Sequence, residues 1–243
     1  SAKDAEKFYR NFYAPNRATV VVVGDVKAKD VLKLVGKYYG GLQAQNPPEK
    51  NIPKEPEQAN PRRKTLKLNT QVQKVMIAYP APPVTHEDIP ALEVMRTVLT
   101  GGKSARLPKA LVETGIATGI DAFDLDDKDP SILIFMANLQ KGKKATQAEE
   151  IFLRQIELFK KNPISQAELD RAKNTLQAQF YDSLSAPTER ANFIGHFETV
   201  SDSFRTGVEL FGRIAGVTAT QVQSVAQKYL RAESRSVVMG VQK

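Results

Sequence analysis

Two histidines are the only imidazole groups that this 243-residue sequence offers for metal or proton chemistry. Hydrolysis at a zinc ion needs three protein ligands, an open position for water, and a carboxylate that takes the proton from that water. His86 and His196 lie far apart, and neither has a second histidine or a glutamate at the spacing that places two ligands on one helical face. We interpret His86 as an exposed residue at a helix N-terminus and His196 as a helix residue. We therefore predict no catalytic residue and no metal ligand in this chain.

A Gly-Gly-Lys-Ser segment at residues 101–104 has some features of a phosphate-binding loop. The Walker pattern also requires a glycine five positions before the glycine that precedes the lysine, but Thr97 stands five positions before Gly102, and its neighbour Arg96 is not a glycine either. We interpret the segment as a helix that ends at glycine, followed by a helix capped by Ser104. Arg106, in the first turns of that helix, is expected to pair with a carboxylate. The following residues are assigned to a structural motif: Gly101, Gly102, Ser104, Arg106, Leu107 and Leu111.

An acidic group near residue 125 could suggest calcium binding. It lacks the glycine and the terminal glutamate of an EF-hand loop, so we interpret it as the solvated tip of a β-hairpin. Its members are Asp121, Asp124, Asp126, Asp127 and Asp129.

Composition excludes several function classes. The chain has no cysteine, which excludes disulfides, thiolate zinc sites and a cysteine nucleophile. Its net charge is +8, but the basic residues are spread among acidic ones and the two small clusters, at 62–64 and 141–144, are not interleaved with aromatic residues. No stretch approaches the ~20 apolar residues of a membrane-spanning helix. We predict a globular protein with no nucleic-acid partner.

Apolar periodicity and turn residues predict the elements. Helices are predicted at about 2–13, 29–39, 88–100 and 104–113, and strands at 19–23, 64–69, 74–79, 116–125, 132–139 and 235–241. Five prolines mark residues 45–61 as a linker. After residue 145 the chain is predicted to be mostly helical.

Capping boxes and apolar stripes support the later helices. Three helix starts are predicted from the pairs Thr146/Glu149, Ser165/Glu168 and Thr218/Gln221. Two stripes are predicted to face the core, formed by Ile151, Phe152, Gln155, Ile156 and Phe159, and by Leu169, Ala172, Leu176, Gln179 and Phe180.

The two ends of the chain share one plan. When residues 218–239 are placed beneath residues 1–22, a helix with an apolar stripe, a polar turn and a β-branched strand coincide. Thr218 falls under Ser1 and Leu230 under Tyr13. Such self-similarity indicates a duplicated unit, so residues 1–44 are expected to close an earlier domain of the same kind.

Four segments carry a family resemblance. FYRNFYAPNRATVVVVGDV, VLKLVGKYYGGL, ALEVMRTVLTGGKSARLPKALVE and ISQAELDRAKNTL occur in an order and spacing that resemble pitrilysin- and insulinase-type zinc metalloendopeptidases. The specific resemblance is to the bacterial two-subunit branch similar to mitochondrial processing peptidase. It implies an α+β fold in which each lobe is an antiparallel sheet with helices packed on one face. It also implies that two subunits close around a peptide-binding chamber.

The resemblance implies a division of the chain and of the chemistry. Residues 1–44 would be a helix-strand-helix remnant that ends the first lobe, 45–61 the linker, and 62–243 the second, non-catalytic lobe. The zinc, bound through H-x-x-E-H, is expected in a missing N-terminal lobe, so this chain is predicted to need no cofactor and to be inactive alone. Relatives of this kind are often exported, which favours a periplasmic location.

A departure from the family pattern concerns substrate holding. The partner subunit in this family carries an Arg seven positions before a Tyr, and the pair holds the substrate backbone. Here the corresponding stretch is one residue shorter, with Val112 at the place of the Arg and Thr118 at the place of the Tyr, and valine cannot donate hydrogen bonds to a carbonyl. The resemblance therefore implies a zinc-bearing subunit that borrows the pair from a second subunit. The alternative is a subunit that has lost peptidase activity and serves a structural or assembly role.

The expected partners follow from the same resemblance. They are a peptide or protein substrate, the missing N-terminal lobe and the second peptidase subunit. Residues 1–44, separated from their own sheet, are expected either to pack on the second lobe or to pair with another copy, which would give a homo-oligomer.

Overall fold

A computed structural model describes residues 1–46, 53, 55–124 and 126–243 of the chain. These residues form two compact units: Ser1–Pro56 with Ser183–Phe204, and Glu57–Asp182 with Arg205–Lys243. The predicted linker at 45–61 and the predicted strand end at Leu125 fall partly outside the described residues. The lobe boundaries drawn from the sequence therefore stay predictions.

The described residues contain five strands and nine helices. The strands are β1 (Arg62–Leu68), β2 (Lys74–Ala81), β3 (Ala117–Asp124), β4 (Ser131–Leu139) and β5 (Ser236–Gln242). The helices are α1 (Ala2–Phe12), α2 (Ala28–Tyr39), α3 (Ile89–Thr100), α4 (Arg106–Leu111), α5 (Ala145–Lys161), α6 (Gln166–Asp182), α7 (Pro187–Ser201), α8 (Arg205–Ala215) and α9 (Ala219–Tyr229).

The second unit is built on one five-stranded sheet in the order β1-β5-β2-β4-β3. Strands β3 and β4 form the predicted hairpin, and β2 lies antiparallel to both β4 and β5. The α+β class and the helix-covered sheet are confirmed, with one difference: β1 runs parallel to β5, so the sheet is mixed. A parallel pair needs a long connection, and most of the unit lies between these two strands.

The sheet buries one face only. Along β2 the buried residues alternate, so Val75, Ile77 and Tyr79 point into the core. Leu133 and Phe135 of β4 are equally buried. Because side chains alternate across a strand, the residues between them belong to the opposite face.

Helices α3, α4, α5 and α9 contact the buried face of the sheet, and α6 packs on α3. Ten of the 12 residues of α3 are buried, which makes it the central helix of the unit. The predicted stripe on α5 is confirmed at Phe152, Ile156 and Phe159. The predicted stripe on α6 is confirmed by three buried residues, Leu169, Ala172 and Leu176, whereas its last turn is more open and Gln179 is exposed.

Two of the three predicted capping boxes are present. The Ser165 hydroxyl accepts a hydrogen bond from the Glu168 amide at 3.3 Å, and the Thr218 hydroxyl accepts one from the Gln221 amide at 3.2 Å. The box predicted at Thr146 is wrong, because α5 begins at Ala145 and its N-cap is Lys144. The buried Glu149 carboxylate instead accepts a hydrogen bond from Arg63 of β1.

The first unit contains α1, α2 and α7. A single 3-10 turn, Pro15–Arg17, follows α1, and Val21 of the next segment lies beside Gly195 of α7. The strand predicted at 19–23 is wrong, because this segment pairs with no strand in the described residues. A strand exists only where a neighbour receives its backbone hydrogen bonds. Helix α2 is confirmed within one residue.

Candidate functional site

The Gly101–Ser104 segment turns the chain between α3 and α4. A side chain on Gly101 would collide with the carbonyl of Thr97, and Gly102 has a φ of +89°, which favours glycine. The helix cap predicted at Ser104 is wrong: Ser104 is exposed, and α4 begins after Ala105, which makes no side-chain cap. The segment is a turn shaped by glycine, not a phosphate loop.

Arg106 holds three helices together. Its Nε donates to Glu168 Oε1 at 2.7 Å and its Nη2 donates to Glu168 Oε2 at 3.0 Å. Its guanidinium also lies over the Phe159 ring, 4.8 Å from the ring centroid. The hydrogen bonds from Arg106, helped by the amide and hydroxyl of Ser165, lower the pKa of Glu168 to about 2. The expectation that Arg106 pairs with a carboxylate is confirmed, and its role is to join α4 to α5 and α6.

The two leucines of the predicted motif belong to the hydrophobic core. Leu107 and Leu111 are buried among the side chains that cover the sheet. Val112, at the place of the family's Arg, packs on the same core. Thr118, at the place of its Tyr, is exposed at the irregularity that begins β3, where its hydroxyl donates to the Asn138 carbonyl at 3.1 Å. Neither side chain can hold a peptide backbone as the Arg and Tyr would.

The described residues do not form a zinc site. Across the part of the chain that the structure describes, no group of three His, Cys, Asp or Glu residues is placed to hold a metal, and this includes the described aspartates near residue 125. His196 is exposed on α7, with its ring edge-on to Phe197 at 5.0 Å. No helix among the described residues is long and apolar enough for a bilayer crossing.

His86 belongs to a structural cluster at the start of α3. It is half-buried, and its Nδ1 accepts a hydrogen bond from the Asp88 amide at 3.0 Å. The Asp88 carboxylate accepts hydrogen bonds from Lys228 Nζ at 2.6 Å and from the Tyr229 hydroxyl at 2.8 Å. Burial by itself raises the pKa of the Asp88 carboxyl, but these hydrogen bonds outweigh it and the net pKa is lowered. The cluster ties α3 to α9.

The face of the sheet opposite the core helices is the candidate functional site, and we call it the open face. Its central side chains are apolar and only half-buried, although they occupy the middle strands of the sheet: Met76, Ala78, Ile134, Met136 and Val238. Ile132, Phe123, Leu66 and Leu68 extend this surface and are 38–40% exposed. A contiguous apolar surface on a folded unit marks an interaction site.

Strand register arranges the open face in rows. One row crosses the whole sheet, in the order Lys64, Val238, Met76, Met136 and Asp121. Met76 and Met136 lie directly opposite each other at its centre. Methionine side chains are flexible and polarizable, and they recur on surfaces that bind varied partners. The row therefore joins an adaptable apolar centre to a basic end and an acidic end.

A second row confirms which side chains share this face. Leu66, Gly240 and Lys74 are consecutive members of it. A side chain on Gly240 would meet Leu68 Cδ1 at 2.9 Å and Lys74 Cβ at 3.9 Å. The missing side chain thus leaves room for Leu68 to lie across β5.

Sequence reasoning missed the open face. The available signal was β4, where the sequence SILIFMANL is apolar at both alternating sets of positions. A strand of an antiparallel sheet that faces water on one side normally alternates apolar with polar residues. In the sequence, the open face is therefore indicated by a strand that is apolar at both alternating sets of positions.

Comparisons with protein families and with individual proteins agree on one family. Residues 1–176 match the family described as the peptidase M16 inactive domain. The zinc protease PqqE of Helicobacter pylori is 31% identical over 206 residues, which cover 82% of this chain and 46% of that protein. The chain spans about half the length of the curated relatives it matches.

Two solved structures share the fold. A protease from Helicobacter pylori superimposes with a TM-score of 0.90 at 26% identity, covering 99% of this chain and 59% of that chain. The inactive peptidase domain of a protein from Bordetella parapertussis superimposes with a TM-score of 0.66 at 25% identity. That match covers 73% of this chain and 97% of the Bordetella chain.

Proposed function

Because this chain belongs to the peptidase M16 family, whose inactive domain it provides, we propose that it forms a non-catalytic wall of the peptide chamber in a zinc-dependent endopeptidase. The open face is that wall. The observation that carries the proposal is the half-buried apolar centre around Met76 and Met136, on the face of the sheet opposite the core helices. Packing alone gives no reason to keep such a surface apolar.

The division of labour follows from the residues that this chain lacks. Its two histidines cannot assemble a three-ligand zinc site, so the zinc belongs to another lobe. Val112 and Thr118 cannot hold a peptide backbone, so a second subunit supplies an Arg and a Tyr for that purpose. This chain then contributes peptide contacts and part of the subunit interface.

The test is hydrolysis of a quenched fluorescent peptide by the complete polypeptide that carries this domain, assayed with and without its partner subunit. The variant is Met136→Lys, at the centre of the open face. The control is Leu158→Lys, because Leu158 is an equally apolar residue of α5 that is 45% exposed on the helix layer. We expect Met136→Lys to raise KM about tenfold, which corresponds to the loss of roughly one apolar contact, with kcat unchanged and the control unaffected.

Two results would decide against the proposal. Cleavage of the peptide by these 243 residues alone, with added zinc, would show that the chain is catalytic. Equal KM values for the Met136→Lys variant and the Leu158→Lys control would remove the open face from the chamber. A complete complex that assembles but cleaves no peptide would support the alternative, a structural or assembly subunit.

A further inference from the structure

We propose that the open face selects extended peptides of the polyproline II type in which one apolar residue lies three positions from an acidic residue on one side and three positions from a basic residue on the other. This inference rests on the proposed chamber-wall function. It adds a substrate class to that function and predicts which side chains read it.

The first step is the charge at the β1 end. Lys64 lies at one end of the central row, and Lys74 lies on β2 beside Met76 on the same face. Both lysines are exposed, and neither forms an ion pair within the described part of the chain. A basic pair beside an apolar centre complements an acidic side chain on a bound peptide.

The second step is the opposite charge at the β3 end. Asp121 closes the central row, is exposed, and is separated from Met76 by one strand, as Lys64 is on the other side. Met76 is therefore flanked symmetrically by a cation and an anion. The face is therefore basic at one end of the row and acidic at the other. A peptide that lies across the strands with opposite charges at its two ends matches these charges in one orientation only.

The third step is the spacing. Neighbouring strands lie roughly 4.8 Å apart, so Lys64 and Asp121 each lie about 10 Å from Met76 across the sheet. A peptide in the extended polyproline II conformation has three residues per turn and advances about 3.1 Å per residue, so its third neighbours lie on the same side and span roughly this distance. An apolar residue over Met76 then places its third neighbours over Lys64 and Asp121. This fit gives the acidic-x-x-apolar-x-x-basic pattern.

Exposure of lysines on the edge strand β1 does not by itself explain a preference for charged peptides. Lys67 also lies on β1 and is exposed, but its side chain belongs to the helix-side set with Arg63, which reaches Glu149 of α5. Lysines on an edge strand protect it from pairing whichever face they occupy. A role in peptide selection, by contrast, is confined to the open face, so Lys64 and Lys67 form a matched pair for testing.

The experiment measures the affinity of this chain for three fluorescein-labelled peptides by fluorescence anisotropy. The matched peptide contains Asp-Ala-Ala-Phe-Ala-Ala-Lys, the charge mismatch contains Lys-Ala-Ala-Phe-Ala-Ala-Lys, and the spacing control contains Ala-Ala-Asp-Phe-Lys-Ala-Ala. We expect the matched peptide to bind about fivefold more tightly than either of the others, a ratio set by exposed ion pairs. The ratio should shrink as salt is added, since the paired charges are solvent-exposed.

The variants Lys64→Glu and Lys67→Glu make the test specific. Lys64→Glu should invert the preference, so that the peptide with two lysines binds more tightly than the matched peptide. Lys67→Glu should keep the preference of the unaltered chain. Equal affinities for the three peptides, or the same preference in both variants, would overturn the inference. A raised KM in the Met136→Lys enzyme together with either result would leave the chamber-wall function standing.

Discussion

Residues 1–23 and residues 218–240 follow the same local plan and reach different structures. Helices α1 and α9 each begin with a capping box, formed by Ser1 with Asp4 and by Thr218 with Gln221. Each ends with a cap residue in a similar backbone conformation, with φ and ψ of −97° and 55° at Tyr13 and of −88° and 50° at Leu230. The sequence repeat therefore corresponds to a repeat of helix, cap and turn.

The two copies separate after the turn. Residues 236–242 form β5 between β1 and β2, whereas residues 19–23 form no strand. Val237 and Met239 are each 3% exposed, while the matching Val20 and Val22 are 55% and 49% exposed. The comparison teaches that local sequence suffices for a capped helix, because its hydrogen bonds are internal. A strand also needs neighbours that are distant in sequence.

The largest expected effect contrasts the two valines of the repeat. Val237→Asp should lower the free energy of unfolding by about 4 kcal/mol, because it buries an unpaired carboxylate in the middle of the sheet. Val20→Asp, at the matching position, should change it by less than about 0.5 kcal/mol, because that side chain is exposed. Denaturant unfolding followed by circular dichroism measures both. Comparable destabilisation by the two variants would mean that residues 19–23 are also paired in solution.

The next effect contrasts a long-range ion pair with a local one. Glu168 pairs with Arg106 between separate helices, and Glu6 pairs with Arg10 within α1. Glu168→Gln should cost about 2 kcal/mol, because the bidentate charged hydrogen bonds are lost. Glu6→Gln should cost less than about 0.5 kcal/mol, as is usual for an exposed pair within one helix.

The same pair predicts a pH dependence. The folded-state pKa of Glu168 is about 2, below its ordinary value of 4.5. A lowered folded-state pKa gives stability that is present above pH 4.5 and is lost as the pH falls towards 2. Unfolding free energies of the Glu168→Gln variant and the unaltered chain should therefore converge over that range. A difference that stays constant from pH 7 to pH 3 would contradict the assignment.

The smallest effect tests the shared capping box. Thr218→Ala should destabilise the protein by about 1 kcal/mol, since α9 packs in the core and its cap contributes to the global free energy of unfolding. Ser1→Ala removes the matching cap from α1, which has no buried residue, and should change the global value by less than about 0.5 kcal/mol. The Ser1→Ala variant should still show more fraying of α1, measured as faster amide exchange in that helix. An equal global loss from both variants would show that α1 is as strongly packed as α9.

The contact of Arg106 and the predicted cap at Thr146 were likewise only partly predictable from the sequence. Arg106 was expected to meet a carboxylate, but its partner, Glu168, could not be identified from the sequence because the two residues lie on separate helices. The capping signal at Thr146 failed because α5 begins at Ala145, whose amide donates to the distant Gln73 side chain, and Glu149 pairs with Arg63 of β1. Local patterns are overridden where a distant side chain offers a stronger hydrogen bond.

By itself, the sequence determined the helices that it predicted, their apolar stripes, two of the three predicted caps and the β3–β4 hairpin, because these depend on residue types and short spacings. Only the tertiary structure decided that β1 runs parallel to β5 and that 19–23 is not a strand. It alone brought Lys64, Met76, Met136 and Asp121 into one row on the open face. The physical reason is that sheet pairing joins residues far apart in the chain, so strand order and register depend on the whole fold.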